Sequence, residues 1–367
     1  MIKMNSLEDA RKKINEIDRK MADLFTQRMH AAEQVANYKM QAGLPIYDQA
    51  REDEVIEKNR AFVPEEELQS YYVNFLKSNM IISRRYQRRL LDGMRVAYSG
   101  VPGAFAATAA QRIFLDGTPV PHKDFAAAYE AVTKGECDCA VLPLENSFAG
   151  DVSQVMDLAF FGDLYINGIY DLEITQNLIG LPGTSLKEIK KVISHPQALA
   201  QSAAFLREHG FETEEATNTA VAAQSVAEKK DPAFAAVAGA ETAALYGLRV
   251  LEKRINDRSG NTTRFAVFSR LNHQDPAHDN YFVMNFTVKN EAGCLGKAVS
   301  AIGELGFNLR ALKSRPTKEL IWEYYFYAEG EGNINSKDGI CLQKRLQELC
   351  SDVRILGSFD RERVLDR

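Results

Sequence analysis

The sequence has no CxxC pair and no Cys/His spacing of the kind that holds a metal, although it carries five cysteines in 367 residues. The count is odd, and Cys137 and Cys139 alternate within an apolar run that reads as a strand. This excludes a disulfide framework, and the chain reads as reduced and cytoplasmic, without metal or other cofactor. There is no excess of positive charge: 45 Lys and Arg stand against 50 Asp and Glu, for a net charge of −5. Nucleic acid and anionic membranes are therefore excluded as general partners, and an anionic ligand has to be held by particular cations. No uninterrupted apolar stretch approaches the ~20 residues of a membrane helix. The first stretch, "MIKMNSLEDARKKINEIDRK", is charged throughout and has no signal-peptide core.

What is present falls into three textures, as the length leads one to expect. Residues 1–91 are helical. Ser6, with Asp9 three residues on, predicts an N-cap, and the first helix runs to about Met40, stopping at "AGLP". "DQAREDEVIEKNRAF" predicts a shorter helix capped by Asp48, and Pro64 opens a third. Helices this elongated bury too little alone, so a homodimer or higher homo-oligomer is expected. Over 94–270, short apolar strands ("RVAYSG", "CDCAVLPLE", "KVISHP", "AFAAVAG", "TRFAVFSR") alternate with helices. This is α/β with a largely parallel sheet. Ligands in such sheets bind where strands end and helices begin, and these junctions carry "SGVPGAF", "LENSFAGDV" and "SHPQALA". "LNHQDPAHDN" breaks all periodicity and reads as a linker. Residues 280–360 then follow a βαββαβ order, the α+β ferredoxin-like arrangement.

The first helix carries an anomaly. Leu7, Ile14, Met21 and Val35 share one seven-residue register, and Ala10, Ile17, Leu24, Ala31 and Tyr38 share a second. Together they make a helix-pairing seam. Arg28 occupies the first register, and Lys39 points almost the same way ~16 Å along the axis. Arg11 also follows the seam, but ~25 Å from Arg28 on the same helix, so it reaches one small ligand only from an antiparallel partner. Asp48, Arg51 and Glu52 follow at helix spacing, and Ser83 and Gln87 are i and i+4 on one face of the third helix. The result is a cation-rich polar pocket without a nucleophile–base pair. It suits a reaction that folds a dianion and stabilises charge moving onto an oxygen.

On Arg11, Arg28, Lys39, Asp48, Arg51, Glu52, Ser83 and Gln87, residues 1–91 resemble the all-helical chorismate mutase domain. The resemblance implies a dimer in which Arg28 and the partner subunit's Arg11 hold the two carboxylates of chorismate. Lys39 and Gln87 would donate to the ether oxygen, Glu52 would hold the ring hydroxyl, and Arg51 and Asp48 would brace that end. "GVPGAF", "PLENSFAGDV", "SHPQALAQ" and "NTTRF" resemble the prephenate dehydratase motifs. They imply a two-lobed fold similar to periplasmic binding proteins, with Thr263 acting at the departing hydroxyl. Asn146, Ser147, Gln197 and Arg264, with nearby helix N-termini, would hold the pyruvyl carboxylate. The pattern departs from the family at Ala104 and Ala106, which replace small hydroxyl residues, and at Gln176, where a histidine is often seen. Residues 280–360 resemble an ACT regulatory domain. Its effector motifs are altered to "GCLG" (Gly293, Cys294, Leu295, Gly296) and "KSRP" (Lys313, Ser314, Arg315, Pro316). Lys313 is expected near the ammonium of a phenylalanine effector, weakening its binding. The whole chain resembles the bifunctional chorismate mutase–prephenate dehydratase family, acting on chorismate and prephenate. Two other readings stay open: a mutase fused to an aromatic-acid sensor, and an arogenate-preferring dehydratase.

Overall fold

The computed structural model describes residues 4–42, 47–273, 275–317 and 324–365 and divides into two compact units, Met1–Met94 and Arg95–Arg367. The first unit consists of three helices, α1 (Met4–Ala42), α2 (Gln49–Arg60) and α3 (Glu66–Asp92). α1 begins before Ser6, which lies inside the helix instead of capping it. Residues 43–46, which include most of "AGLP", lie outside the described residues. Asp48 does cap α2, accepting a hydrogen bond from the Arg51 N–H at 3.0 Å. Met29 and Ala36 of α1 and Leu76 and Met80 of α3 are buried within this unit. The seam residues are not: Leu7, Ile14, Ile17, Met21, Leu24 and Val35 are 44–62% exposed.

In the second unit, one lobe is formed by β1 (Met94–Ser99), α4 (Phe105–Ile113), β2 (Gly117–His122), α5 (Phe125–Lys134), β3 (Cys139–Asn146), β4 (Gly150–Asp151), α6 (Ser153–Phe161) and β5 (Tyr165–Glu173). The chain crosses to a second lobe of β6 (Asn177–Gly180), β7 (Lys191–Ser194), α7 (Pro196–Gln201), α8 (Ala203–Glu208), β8 (Glu212–Glu215), α9 (Thr219–Lys229), β9 (Phe234–Ala238), α10 (Ala240–Leu245) and β10 (Arg249–Glu252). It returns through β11 (Thr262–Ser269), which inserts between β3 and β5.

The expectation of a largely parallel sheet is corrected here. β11 is antiparallel to both neighbours, and β6 is antiparallel to β9 and β10. β1–β3, β7–β8, β7–β9 and a short terminal pairing described below run parallel. The reason is that β11 comes back from the other lobe instead of arriving by a local crossover. Its apolar run, Phe265 to Phe268, is buried on both faces, so its composition does not reveal its direction.

The C-terminal module is β12 (Tyr281–Thr287), α11 (Cys294–Glu304), β13 (Asn308–Pro316), β14 (Tyr324–Glu331), α12 (Lys337–Leu349) and β15 (Asp352–Phe359). Its sheet order is β13-β14-β12-β15. One face carries Phe282, Met284 and Phe286 against Ile302, Leu342 and Leu346 of the two helices. The other face carries Val283, Tyr325, Tyr327 and Leu356 into the core of the first lobe, beside Leu144, Met156 and Ile166. The module thus shares a core with the lobe and is not a separately packed domain. β16 (Arg363–Val364) adds a parallel strand to β5. Within the segment read as a linker, Asp279 is buried and accepts from the Ser358 hydroxyl at 2.5 Å and from the Asp275 N–H at 3.1 Å.

The shared core leaves no room where β15 crosses β5. A Cβ on Gly357 would stand 1.9 Å from the carbonyl oxygen of Ile166. Gly357→Ala is expected to destabilise the α/β unit by about 1–3 kcal/mol, the range for an overpacked core. The check is the urea midpoint of that unit in the full-length protein, and an unchanged midpoint contradicts this packing.

Candidate active sites

In the helical unit, Arg28 reaches from α1 to α3. Its guanidinium donates to the Ser83 hydroxyl and, at 3.4 Å, to the carbonyl of Asn79. Ser83 Oγ in turn donates to that carbonyl at 2.8 Å, one turn back. Burial lowers the pKa of Arg28, with Tyr72 opposing, and a guanidinium keeps its proton in proteins. Gln87, one turn beyond Ser83, is buried, and its Oε1 has no hydrogen-bond partner among the described residues. The chain therefore brings together a half-buried cation and an unpartnered amide on facing helices. Lys39, on the same helix as Arg28, is half-buried, and Arg11 is exposed.

The other expected residues are committed elsewhere in the single chain. Glu52 is ion-paired with Arg84 of α3, which lies 4.9 Å from the centroid of the Tyr47 ring. Asp48 serves as the α2 cap. Arg51 pairs with Glu54 at 2.6 Å on the solvent face. Arg84 was missed in the sequence because its role depends on α2 folding back onto α3.

The second candidate site is a cavity of about 330 Å³ between the two lobes of the α/β unit. Both segments that cross between the lobes border it, through Gln176 and Asn261. β11 contributes Thr263 and Phe265, which alternate on one face of the strand. The β3–β4 hairpin contributes Asn146 and Gly150, and α7 contributes Gln197 and Gln201. The hairpin turns tightly: Asn146 pairs with Gly150 across it, Gly150 adopts φ +79°, and Asn146 Oδ1 accepts from the N–H groups of Phe148 and Ala149 at 3.1 and 3.0 Å.

With its carbonyl oxygen used this way, the Asn146 amide nitrogen is aimed outward. It donates to Thr263 Oγ1 at 2.9 Å and to Asn261 Oδ1 at 2.8 Å. Asn261 donates to Gln201 Oε1 at 3.0 Å, which Gln176 also approaches at 3.5 Å. Gln176 is buried, with its Oε1 unpartnered among the described residues. Thr263 thus accepts from Asn146, and among the described residues its own hydrogen goes to no acceptor. A hydroxyl carries one donor and two acceptor positions, so this donor is available to a ligand.

Three expectations change. Arg264 does not border the cavity. It lies on the opposite face of β11 from Thr263, as strand alternation requires. There it makes a bidentate pair with Glu329 at 3.3 and 2.7 Å, pairs with Glu362, and lies 3.6 Å from Glu145 and 3.7 Å from Asp171. Burial works against its charge, but Glu329 and Glu362 outweigh burial and raise its pKa. Ser147 faces the return segment, donating to the Gly260 carbonyl at 3.1 Å and accepting from the Thr262 N–H at 3.0 Å. Lys313 is not left to face an effector's ammonium: it binds Glu145 at 2.8 Å and Asp151 at 2.5 Å in the first lobe. Arg315, two residues along β13, binds Asp157 at 2.8 and 3.1 Å. In the glycine motif, Gly293 at φ +85° is the N-cap of α11, with Cys294, Leu295 and Gly296 in its first turn.

Gln176 was noted in the sequence only as a departure from the family pattern, and Gln201 and Asn261 are lining residues that sequence reasoning did not select. Gln201 and Asn261 stood inside the quoted stretches "SHPQALAQ" and "NTTRF". Amides give no titration or metal signal that would single them out.

Residues 96–273 match the family model described as prephenate dehydratase, and residues 10–88 match that described as chorismate mutase type II. The chain is 29% identical over 367 residues to the bifunctional chorismate mutase/prephenate dehydratase of Aquifex aeolicus, covering 97% of this chain and 98% of that one. It is 32% identical over 277 residues to arogenate dehydratase/prephenate dehydratase 2, chloroplastic, of Arabidopsis thaliana, covering 72% of each. Among solved structures, the prephenate dehydratase of Arthrobacter aurescens in complex with L-Phe aligns with TM-score 0.67 and 27% identity, over 73% of this chain and 90% of that one.

Proposed function

This chain belongs to the bifunctional chorismate mutase/prephenate dehydratase family, and from that premise we propose how its two sites divide the work. The protein rearranges chorismate to prephenate and then converts prephenate to phenylpyruvate by loss of carbon dioxide and water. The first reaction belongs to the helical unit. Arg28 and the partner subunit's Arg11 grip the two carboxylates as guanidinium forks. Lys39 and Gln87 donate to the ether oxygen as its bond to carbon breaks, and Glu52, turned from Arg84, takes the ring hydroxyl. Rate comes from freezing the reactive conformer and from donors fixed where negative charge develops. The exposed seam of α1 supports a homodimer, because a second copy packed antiparallel on it would bring an Arg11 to each Arg28. Lys39→Ala is expected to lower mutase turnover ~10²–10³-fold with the dimer intact; near-normal turnover rejects this assignment.

The second reaction belongs to the inter-lobe cavity, a binding-protein-like cleft. The observation that carries this reading is the Thr263 hydroxyl, held by Asn146 with its own hydrogen free. As the bond from the ring to its carboxylate breaks, the electron pair enters the ring, which becomes aromatic, and the C4–O bond breaks. Thr263 hands its proton to the departing hydroxide, which leaves as water, and Thr263 is reprotonated from solvent. Asn146 stabilises the charge that grows on Thr263 Oγ1. The lining residues include no lysine or arginine. The lack of a lysine or arginine among these described residues favours the step, because a cation on the ring carboxylate would oppose its loss as carbon dioxide; the carboxylate in the lining, Asp151, is paired with Lys313. The pyruvyl carboxylate is left to amide donors, among them Gln197, and to the first-turn N–H groups of α4 and α9.

The C-terminal module acts as an ACT-type regulatory domain, with phenylalanine bound at Gly293–Gly296 and beside Ser314 and Pro316 on β13. The relative crystallised with L-Phe supports this. Because Lys313 is neutralised by Glu145 and Asp151, its charge no longer argues for weak binding. The five unpaired cysteines accord with a reducing, cytoplasmic setting. The test supplies chorismate, then prephenate, then arogenate to the purified protein, and follows phenylpyruvate by its absorbance in alkali and phenylalanine, the product arogenate would give, by amino-acid analysis. Phenylpyruvate from the first two supports the reading. A product from arogenate alone would replace it with the arogenate-preferring alternative, and binding without turnover would replace it with the sensor.

A further inference from the structure

The hairpin that presents Asn146 contains an electrostatic conflict. Glu145 and Asp151 are direct partners across the antiparallel β3–β4 pair, and like charges placed opposite each other in a sheet repel. The hairpin has only two β4 residues with which to resist. Lys313 of β13 bridges the conflict, with its ammonium 2.8 Å from Glu145 and 2.5 Å from Asp151, and its side chain is 17% exposed. Arg264 lies 3.6 Å from Glu145, but its short contacts go to Glu329 and Glu362. Burial alone would lower the pKa of Lys313; the hydrogen bonds and attraction of Asp151 and Glu145 outweigh it, so the ammonium stays charged.

Resting on the dehydratase reading of the cleft, we infer that Lys313 is a positioning residue of that site. It holds the two arms of the β3–β4 hairpin together and so fixes the amide of Asn146 on Thr263. It touches neither substrate nor reacting atoms. Its effect passes through Glu145, next to Asn146, and through Asp151, next to Gly150. A residue of the C-terminal module thereby becomes part of the geometry of the catalytic hairpin. A position expected to tune effector binding instead sets the rate of the reaction.

The test compares full-length Lys313→Met, Lys313→Arg, Glu145→Gln and Lys313→Met/Glu145→Gln, with mutase turnover as an internal standard for protein amount and the urea midpoint of the α/β unit as the measure of its folding. In Lys313→Met, dehydratase kcat is expected to fall about 10–100-fold, the scale for a donor displaced by a fraction of an ångström to 1 Å. KM for prephenate is expected to rise as well, because Asp151 lines the cavity and loses its counter-charge in front of a dianion, so the positioning role is read from kcat at saturating prephenate. Lys313→Arg should recover most of kcat. Lys313→Met/Glu145→Gln should also recover it, because one carboxylate no longer faces another. If Lys313→Met yields too little folded protein, Lys313→Gln removes the charge more gently and reads the same kcat. A parental kcat in folded Lys313→Met or Lys313→Gln overturns the inference, as does a loss in Lys313→Met that adding Glu145→Gln fails to relieve. Thr263→Ala, run alongside, separates the two claims: if it keeps making phenylpyruvate, the cleft assignment is wrong. If it is inactive while Lys313→Met is not, only the positioning role is wrong.

Discussion

Thr263→Ala is expected to stop phenylpyruvate formation while the protein continues to turn chorismate into prephenate, which accumulates. The expectation follows from the amide relay. Asn146 spends its oxygen on the hairpin backbone and its nitrogen on Thr263 and Asn261. Thr263 is therefore the point where this network meets the cavity with a free donor. Removing the hydroxyl deletes the donor to the leaving group, and nothing adjacent replaces it, because Phe265 is the next residue of β11 on that face. A positioned proton donor contributes about 10²–10⁴-fold, and the loss should fall in kcat. Thr263→Ser, which keeps the hydroxyl, should recover a substantial part. The mutase rate should stay at the parental value, since its site is built from α1, α2 and α3. Retained phenylpyruvate formation in Thr263→Ala would remove Thr263 from the mechanism. Loss of both activities in a folded protein would mean that the two reactions have been assigned to the wrong units.

The residues that were readable in the sequence carry a local pattern. Arg28 stood out because it interrupts a seven-residue register, and the structure sets it against Ser83 of α3. The βαββαβ order was visible from strand and helix lengths, and Asp48 as a cap from its place before a helix. What was not readable depends on contacts distant in sequence. Thr263 and Arg264 had to lie on opposite faces of their strand, but alternation does not say which face meets the cavity. Lys313 and Glu145 are 168 positions apart, and their pairing exists only because the module's sheet lies on the first lobe. A trace of that packing was present in "YYFYAEG". Phe326 turns toward the module's helices while Tyr325 and Tyr327 enter the lobe's core. A strand with no polar face is a strand covered on both sides.

Arg11→Ala and Arg28→Ala are each expected to reduce mutase turnover to background, and a mixture of the two inactive proteins is expected to regain part of it. Arg11 and Arg28 lie 17 residues apart on one continuous helix, α1, so ~25 Å of helix axis separates them. No single chorismate spans that distance, so each carboxylate clamp has to come from a different chain. The helix between them exposes Ile14, Ile17, Met21 and Leu24, a face suited to an antiparallel copy that would bring its Arg11 level with Arg28. Removing one member of a desolvated charge pair costs about 2–5 kcal/mol, and here it also frees the substrate from its reactive conformer. In a mixed dimer, one site inherits both substitutions and is dead, while the other keeps Arg28 from one chain and Arg11 from its partner. Random exchange of equal amounts makes half the dimers mixed, so about a quarter of the parental activity should return when one site in two works, as expected for symmetric pairing of equivalent copies. The measurement is chorismate consumption against time after mixing, with subunit exchange followed independently by mass-tagged chains. Full exchange without any return of activity would show that each site is complete within one chain, and Arg11 would then be a seam residue with no part in binding chorismate.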